Sequence, residues 1–115
     1  MLSPRQRYVE RVLELYRHTP DTLGYIRRAD RRLAGSLHDR RVHLQTVEDA
    51  LVLATARRAF RTADAPPLAP IASLHYILPI IHELQIAPPD DGYLDYLRHK
   101  LARQSAAATG HHQMP

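Results

Sequence analysis

Thr46-Val47-Glu48-Asp49-Ala50-Leu51-Val52-Leu53-Ala54 opens with a hydroxyl and two acids, then turns apolar on every side. A threonine followed by carboxylates suits a helix start. The hydroxyl accepts from free amides, and negative charge meets the positive end of the helix dipole. A helix without a polar stripe has to be surrounded by other elements. The stretch therefore predicts a central helix beginning near Thr46. It closes with Arg57, Arg58 and Arg61, where cations suit the terminal carbonyls.

The flanking segments supply the surrounding helices. Ser3, Pro4 and Gln6 form a capping-box start for a helix from Pro4 to about Arg17, with Tyr8, Val9, Val12, Leu13, Leu15 and Tyr16 on its apolar face. After Thr19-Pro20-Asp21, a second helix is expected from Pro20 or Leu23 to His38. Leu23, Ile26, Leu33, Ala34 and Leu37 fall on one side of it, and Arg27, Arg28, Arg31 and Arg32 on the other. Asp30 lands inside the apolar stripe. A carboxylate there needs a partner, and a neighbouring arginine is the natural one. Asp39-Arg40-Arg41 reads as a polar connector with Val42 and Leu44 as inward anchors.

Beyond the central helix, Thr62 to Pro70 is a stiff loop. A fourth helix from Pro70 or Ile71 carries Leu74, Ile77, Leu78, Ile81 and Leu84, and Pro79 inside it should kink or split it. Asp90 or Asp91 caps a fifth helix bearing Tyr93, Leu94, Leu97 and Leu101. No segment alternates like a strand. The expected fold is all-α: a compact bundle of about five helices, the fourth kinked, with the other four packed around the third. Residues 1–104 form one domain and residues 105–115 a flexible tail.

Composition narrows the chemistry. A chain of 115 residues holds one domain. It has no cysteine, which removes disulfides, thiolate metal sites and thiol nucleophiles. No apolar run reaches the roughly 18 residues that span a bilayer, and the N-terminus lacks a secretion-signal layout, so a cytoplasmic protein with no membrane partner is expected. Charge is lopsided. Residues 1–61 hold 13 arginines against seven acids, a net of +6, while residues 62–115 hold three cations against five acids, a net of −2; together they give the formal +4. Such a basic half suits a polyanionic partner or an acidic protein.

No catalytic centre is legible. The serines lack flanking signatures, and with only four glycines there is no phosphate-cradling loop. His75 and His82 lie two turns apart, too far to share an ion, and His38 and His43 flank a loop. Neither metal nor cofactor is expected. The segment from Leu33 through Val42 and Leu44 to Leu51 has the apolar skeleton of a helix-turn-helix, but the connector is long and the later helix too apolar to face DNA. The stronger candidate is the arginine set itself: Arg27, Arg28, Arg31, Arg32, Arg40, Arg41, Arg57, Arg58 and Arg61. Guanidinium forks match phosphate geometry and position a protein on nucleic acid without reading sequence. Tyr25 and Tyr96 are the tyrosines whose exposure would allow base stacking. Ile71, Leu78, Ile80 and Ile86 would mark a protein interface if the bundle leaves them uncovered.

Leu33-Ala34, Val47-Glu48-Asp49-Ala50-Leu51 and Ser73-Leu74-His75-Tyr76-Ile77-Leu78 together resemble DnaD-type helical domains of bacterial and phage replication-initiation proteins. The resemblance spans about residues 8–86 and departs from the pattern at Pro79. It implies a compact helical module that binds DNA and helps to load replication machinery. The chain is also similar in composition to small Arg-rich helical proteins of bacterial mobile elements. Together these readings lead to a noncatalytic DNA- or RNA-associated accessory subunit, in a homo-oligomer or a larger nucleoprotein complex. A protein–protein adaptor working through the apolar segment 71–86 is the alternative.

Overall fold

A computed structural model describes residues 1–112 of the chain, with side chains described as far as residue 106. Among these residues there are five α-helices, α1 (Pro4–Arg17), α2 (Arg28–Asp39), α3 (Leu44–Ala59), α4 (Leu78–Ile86) and α5 (Tyr93–His112), with a 3-10 turn at Leu74–Ile77. The described residues form no strand, only an isolated bridge between Thr22 and Ile71. The fold is all-α. The tail expected over residues 105–115 overlaps the end of α5, and from residue 107 its side chains lie outside the described residues.

Helix α1 forms as its first residues dictate. The Ser3 hydroxyl accepts from the Gln6 amide at 3.1 Å, and the Ser3 amide donates to Gln6 Oε1 at 2.8 Å. Pro4 sits in the first turn, where its missing N–H costs nothing. Val9, Val12, Leu13 and Tyr16 then bury one stripe.

The second helix starts later than its periodicity suggests. Residues 18–27 are irregular, and α2 begins at Arg28. Asp21 and Gly24 take left-handed backbone (φ 67° and 82°), which ends helical geometry. The freed groups pair across the fold: Ile71 N donates to Asp21 O at 2.7 Å, and Leu23 N donates to Ile71 O at 3.1 Å. Leu23 and Ile26, expected in the helical stripe, lie on this strap instead, and Leu23 is exposed.

Asp30 corrects a second expectation. It is fully buried, yet its partners are backbone amides rather than an arginine. One carboxylate oxygen accepts from Arg27 N at 2.9 Å and caps α2; the other accepts from Leu74 N at 2.9 Å. One side chain thus fastens the start of α2 to the start of the 3-10 turn.

Helix α3 buries Val47, Ala50, Leu51, Leu53, Ala54 and Ala56. It starts at Leu44, two residues before the expected Thr46. It packs against α1, α4, α5 and the 3-10 turn, whereas α2 lies on α1 and the 3-10 turn. So α3 is central, but α2 packs chiefly on α1 rather than on α3, where the expected arrangement or a helix-turn-helix would put it. Pro79 splits the fourth segment, since it stands in the first turn of α4 directly after the 3-10 turn. Two of the four expected interface residues, Ile71 and Ile80, are buried in the core. Leu78 is half-buried, and only Ile86 stands well exposed.

Helix α5 follows Gly92, whose φ of 85° needs a residue without a Cβ penalty. Leu97 anchors it, and Arg98 pairs with Asp49 of α3 at 2.8 Å. Among the described residues no helix is long and apolar enough to cross a membrane.

Candidate functional site

Helices α1 and α2 run antiparallel, held by two ion pairs at their exposed edge. Arg5 grips Asp39 with two hydrogen bonds of 2.9 and 3.0 Å, and Arg31 pairs with Glu10. The close approach of Arg5 to α2 depends on Gly35. A Cβ there would stand 2.4 Å from the Arg5 guanidinium. The guanidinium holds the Asp39 carboxyl below its ordinary pKa, chiefly through these hydrogen bonds.

This pairing divides the nine candidate arginines. Arg31 is committed to Glu10. Arg27 is the N-cap residue of α2; its guanidinium lies 5.3 Å from the Tyr25 ring centre and donates to the Tyr25 hydroxyl at 2.8 Å. Arg57 bridges to Glu83 of α4 and holds that carboxyl below its usual range. Arg58 is almost buried, with 6 % of its side chain exposed. It donates to Ala69 O at 2.7 Å, lies near Asp21 and stacks over Tyr76. Arg61 donates to Pro66 O at 2.7 Å. Arg58 and Arg61 thus clamp the loop after α3, and Arg57 ties α3 to α4.

Arg28, Arg32, Arg40 and Arg41 remain. All four are exposed, and among the described residues none of their guanidinium groups has a hydrogen-bond or ion-pair partner. Arg28 and Arg32 stand one turn apart on the outer face of α2, while Arg40 and Arg41 follow its last residue, Asp39. Four of the six expected arginines on α2 and its ends thus keep free guanidinium groups, whereas the three on and after α3 are engaged within the fold.

The end of α2 is unusual. Val42 N donates to Leu37 O at 3.0 Å and Arg41 N to His38 O at 2.9 Å, the two bonds of a Schellman motif. The motif's left-handed position is normally glycine; here it is Arg41, at φ 61°. Beside it a cleft of about 510 Å³ opens at the α2–α3 corner, lined by Tyr8, His38, Asp39, Arg41, His43 and their neighbours. The His38 ring packs edge-on against Tyr8, its Nδ1 3.5 Å from the nearer Asp39 oxygen. His43, the N-cap residue of α3, gives no side-chain cap. In the sequence these histidines only flank a loop, and nothing there joins them to the arginine set. The available signal was an arginine where a helix ending calls for glycine.

A second concavity was also missed. Leu15, Leu51, Val52, Leu101 and Ala102 floor a groove of about 830 Å³ between α1, α3 and α5. The all-round apolarity of α3 was its only trace in the sequence. Tyr25 and Tyr96 are both about half exposed, and so is Tyr93, whose ring lies 6.5 Å from that of Tyr96. Among the described residues no group of three or more His, Asp or Glu side chains is placed to hold a metal ion. Comparison with protein-family models, curated proteins and solved structures found no match to this chain.

Proposed function

We propose that the chain is a noncatalytic nucleic-acid-associated accessory subunit of the cytoplasm that grips the phosphate backbone of DNA or RNA. The observation behind this reading is the set of four exposed, unpartnered arginines, Arg28, Arg32, Arg40 and Arg41, on one helix and its end. An unpaired guanidinium keeps its full hydrogen-bonding capacity for phosphate. The resemblance to DnaD-type domains and to mobile-element proteins belongs to the same reading. Arg57, Arg58 and Arg61 leave the proposed contact set, because their donors are already engaged within the fold.

The test is fluorescence anisotropy with labelled duplex DNA, single-stranded DNA and RNA at about 50 and 200 mM salt. Binding should weaken steeply with salt, by about 0.9 log units per tenfold salt for each phosphate neutralised on duplex. The triple variant Arg28→Gln, Arg32→Gln, Arg40→Gln should lose at least about tenfold in affinity and lower that slope. Unchanged affinity in a folded triple variant would overturn the assignment.

A protein–protein adaptor is the second reading, favoured by the apolar groove between α1, α3 and α5 rather than by segment 71–86. Its sign is an association that survives high salt.

A further inference from the structure

The arginine at the left-handed position of the α2 ending calls for a reason. A non-glycine residue there is disfavoured by Cβ sterics, and glycine would close the same Schellman motif at no such cost. The Arg41 guanidinium returns nothing to the fold, having no hydrogen-bond or ion-pair partner among the described residues. It does line a cleft.

That cleft has the chemistry of an anion site. Arg41, His38 and His43 are its potential cations. Asp39 is its one acid, and Arg5 already engages both of its oxygens, which offsets its repulsion of an incoming anion. Tyr8 closes one wall and is fixed there by donating its hydroxyl hydrogen to Val42 O at 2.8 Å. The cleft is open to solvent, and its volume of about 510 Å³ has room for a phosphate group. A continuous strand lies on a convex arginine face, but a concave corner accepts a chain end. A terminal phosphate offers several acceptor oxygens to a planar guanidinium fork.

We infer that the α2–α3 corner cleft binds a phosphate monoester, anchored by Arg41 with His38 and His43 beside it, and that its ligand is the phosphorylated end of a nucleic-acid strand. The inference rests on the nucleic-acid reading and names the group recognised. Arg28 and Arg32 hold the strand, and the cleft holds its end.

The test compares a labelled single-stranded DNA of about twelve nucleotides with and without a 5′-phosphate at one ionic strength. The wild-type protein, Arg41→Gly and the double variant Arg28→Gln, Arg32→Gln are each titrated. The phosphate should tighten wild-type binding about tenfold, the worth of a charge-assisted hydrogen-bonded contact. Arg41→Gly should erase that gain while melting at a higher temperature than the wild type, because glycine relieves the strain. The double variant should bind both oligonucleotides more weakly and keep their ratio. Equal wild-type affinity for the two ends, or a gain that persists in Arg41→Gly, overturns the inference and leaves the nucleic-acid reading standing. If neither oligonucleotide binds, that reading fails, and inorganic phosphate becomes the probe of the cleft. Shifts of the His38 and His43 ring NMR signals on its addition would then support a free phosphate as ligand, and their absence would overturn the site.

Discussion

Two helices of this chain end in paired arginines, and the pairs are used in opposite ways. At the end of α3, Arg57 and Arg58 turn back onto the fold, reaching Glu83, Asp21, Tyr76 and the carbonyl of Ala69, and Arg61 holds Pro66. At the end of α2, Arg40 and Arg41 reach nothing. The local sequences are alike; what differs is what the chain brings near them. The segment 62–73 and α4 return past the end of α3 and present carbonyls and a carboxylate. The end of α2 meets the edge of α1, where Arg5 has already taken the available acid, Asp39. An arginine with acceptors supplied by the fold is a clamp, and one without them is a contact in waiting.

Substitution should cost most at the other end of α2. There a buried acid does the fastening, because Asp30 caps the Arg27 amide and holds the Leu74 amide. Asp30→Ala leaves two inward-facing amides without partners and should cost about 3 kcal/mol, at roughly 1–3 kcal/mol per unsatisfied group. Urea denaturation measures the loss. A value under about 0.5 kcal/mol, that of an ordinary surface change, would mean water replaces the carboxylate. At the α3 end, Arg58→Ala removes a nearly buried guanidinium and its hydrogen bond to Ala69 O. It should cost about 2 kcal/mol and leave nucleic-acid affinity unchanged. Lost affinity with unchanged stability would place Arg58 among the contacts and erase the distinction between the two ends.

What was legible in the sequence followed from local rules. Ser3, Pro4 and Gln6 specify the start of α1 unaided, and Pro79 places the break before α4 through its missing N–H. The second helix was misplaced because Leu23 and Ile26 fit helical spacing, while the left-handed turns at Asp21 and Gly24 and the pairing with Ile71 depend on a segment some fifty residues away. The partners of Asp30 were missed for a related reason. Backbone amides carry no letter in the sequence, so a buried acid suggests an arginine even where two N–H groups suffice. The arginine cluster was visible as composition, but its division into clamps and free contacts depends on acceptors as remote as Glu83.

Acid should produce the smallest effect, and it probes both helix ends at once. Asp39, held low by Arg5, marks the α2 end; Glu83, held low by Arg57, marks the α3 end. A carboxyl whose folded pKa lies below its unfolded value contributes stability that is complete above the unfolded value, about 3.9 for Asp and 4.3 for Glu. The contribution is lost as pH falls through the folded pKa. Both groups are exposed, so solvent screening keeps each contribution small. Melting temperatures from pH 6 to pH 3 should therefore hold steady until about pH 4.5 and then decline. Glu83→Gln and Asp39→Asn should each flatten part of that decline. The two variants should differ in what else they change. Glu83→Gln loosens the link between α3 and α4 and leaves the corner cleft intact. Asp39→Asn frees Arg5 beside the cleft and removes its one acid, so it should bind the phosphorylated oligonucleotide more tightly than the wild type does. Were Glu83→Gln to change that affinity as much as Asp39→Asn, the two ends would be coupled through the bundle, and the separation between a structural end and a binding end would fail.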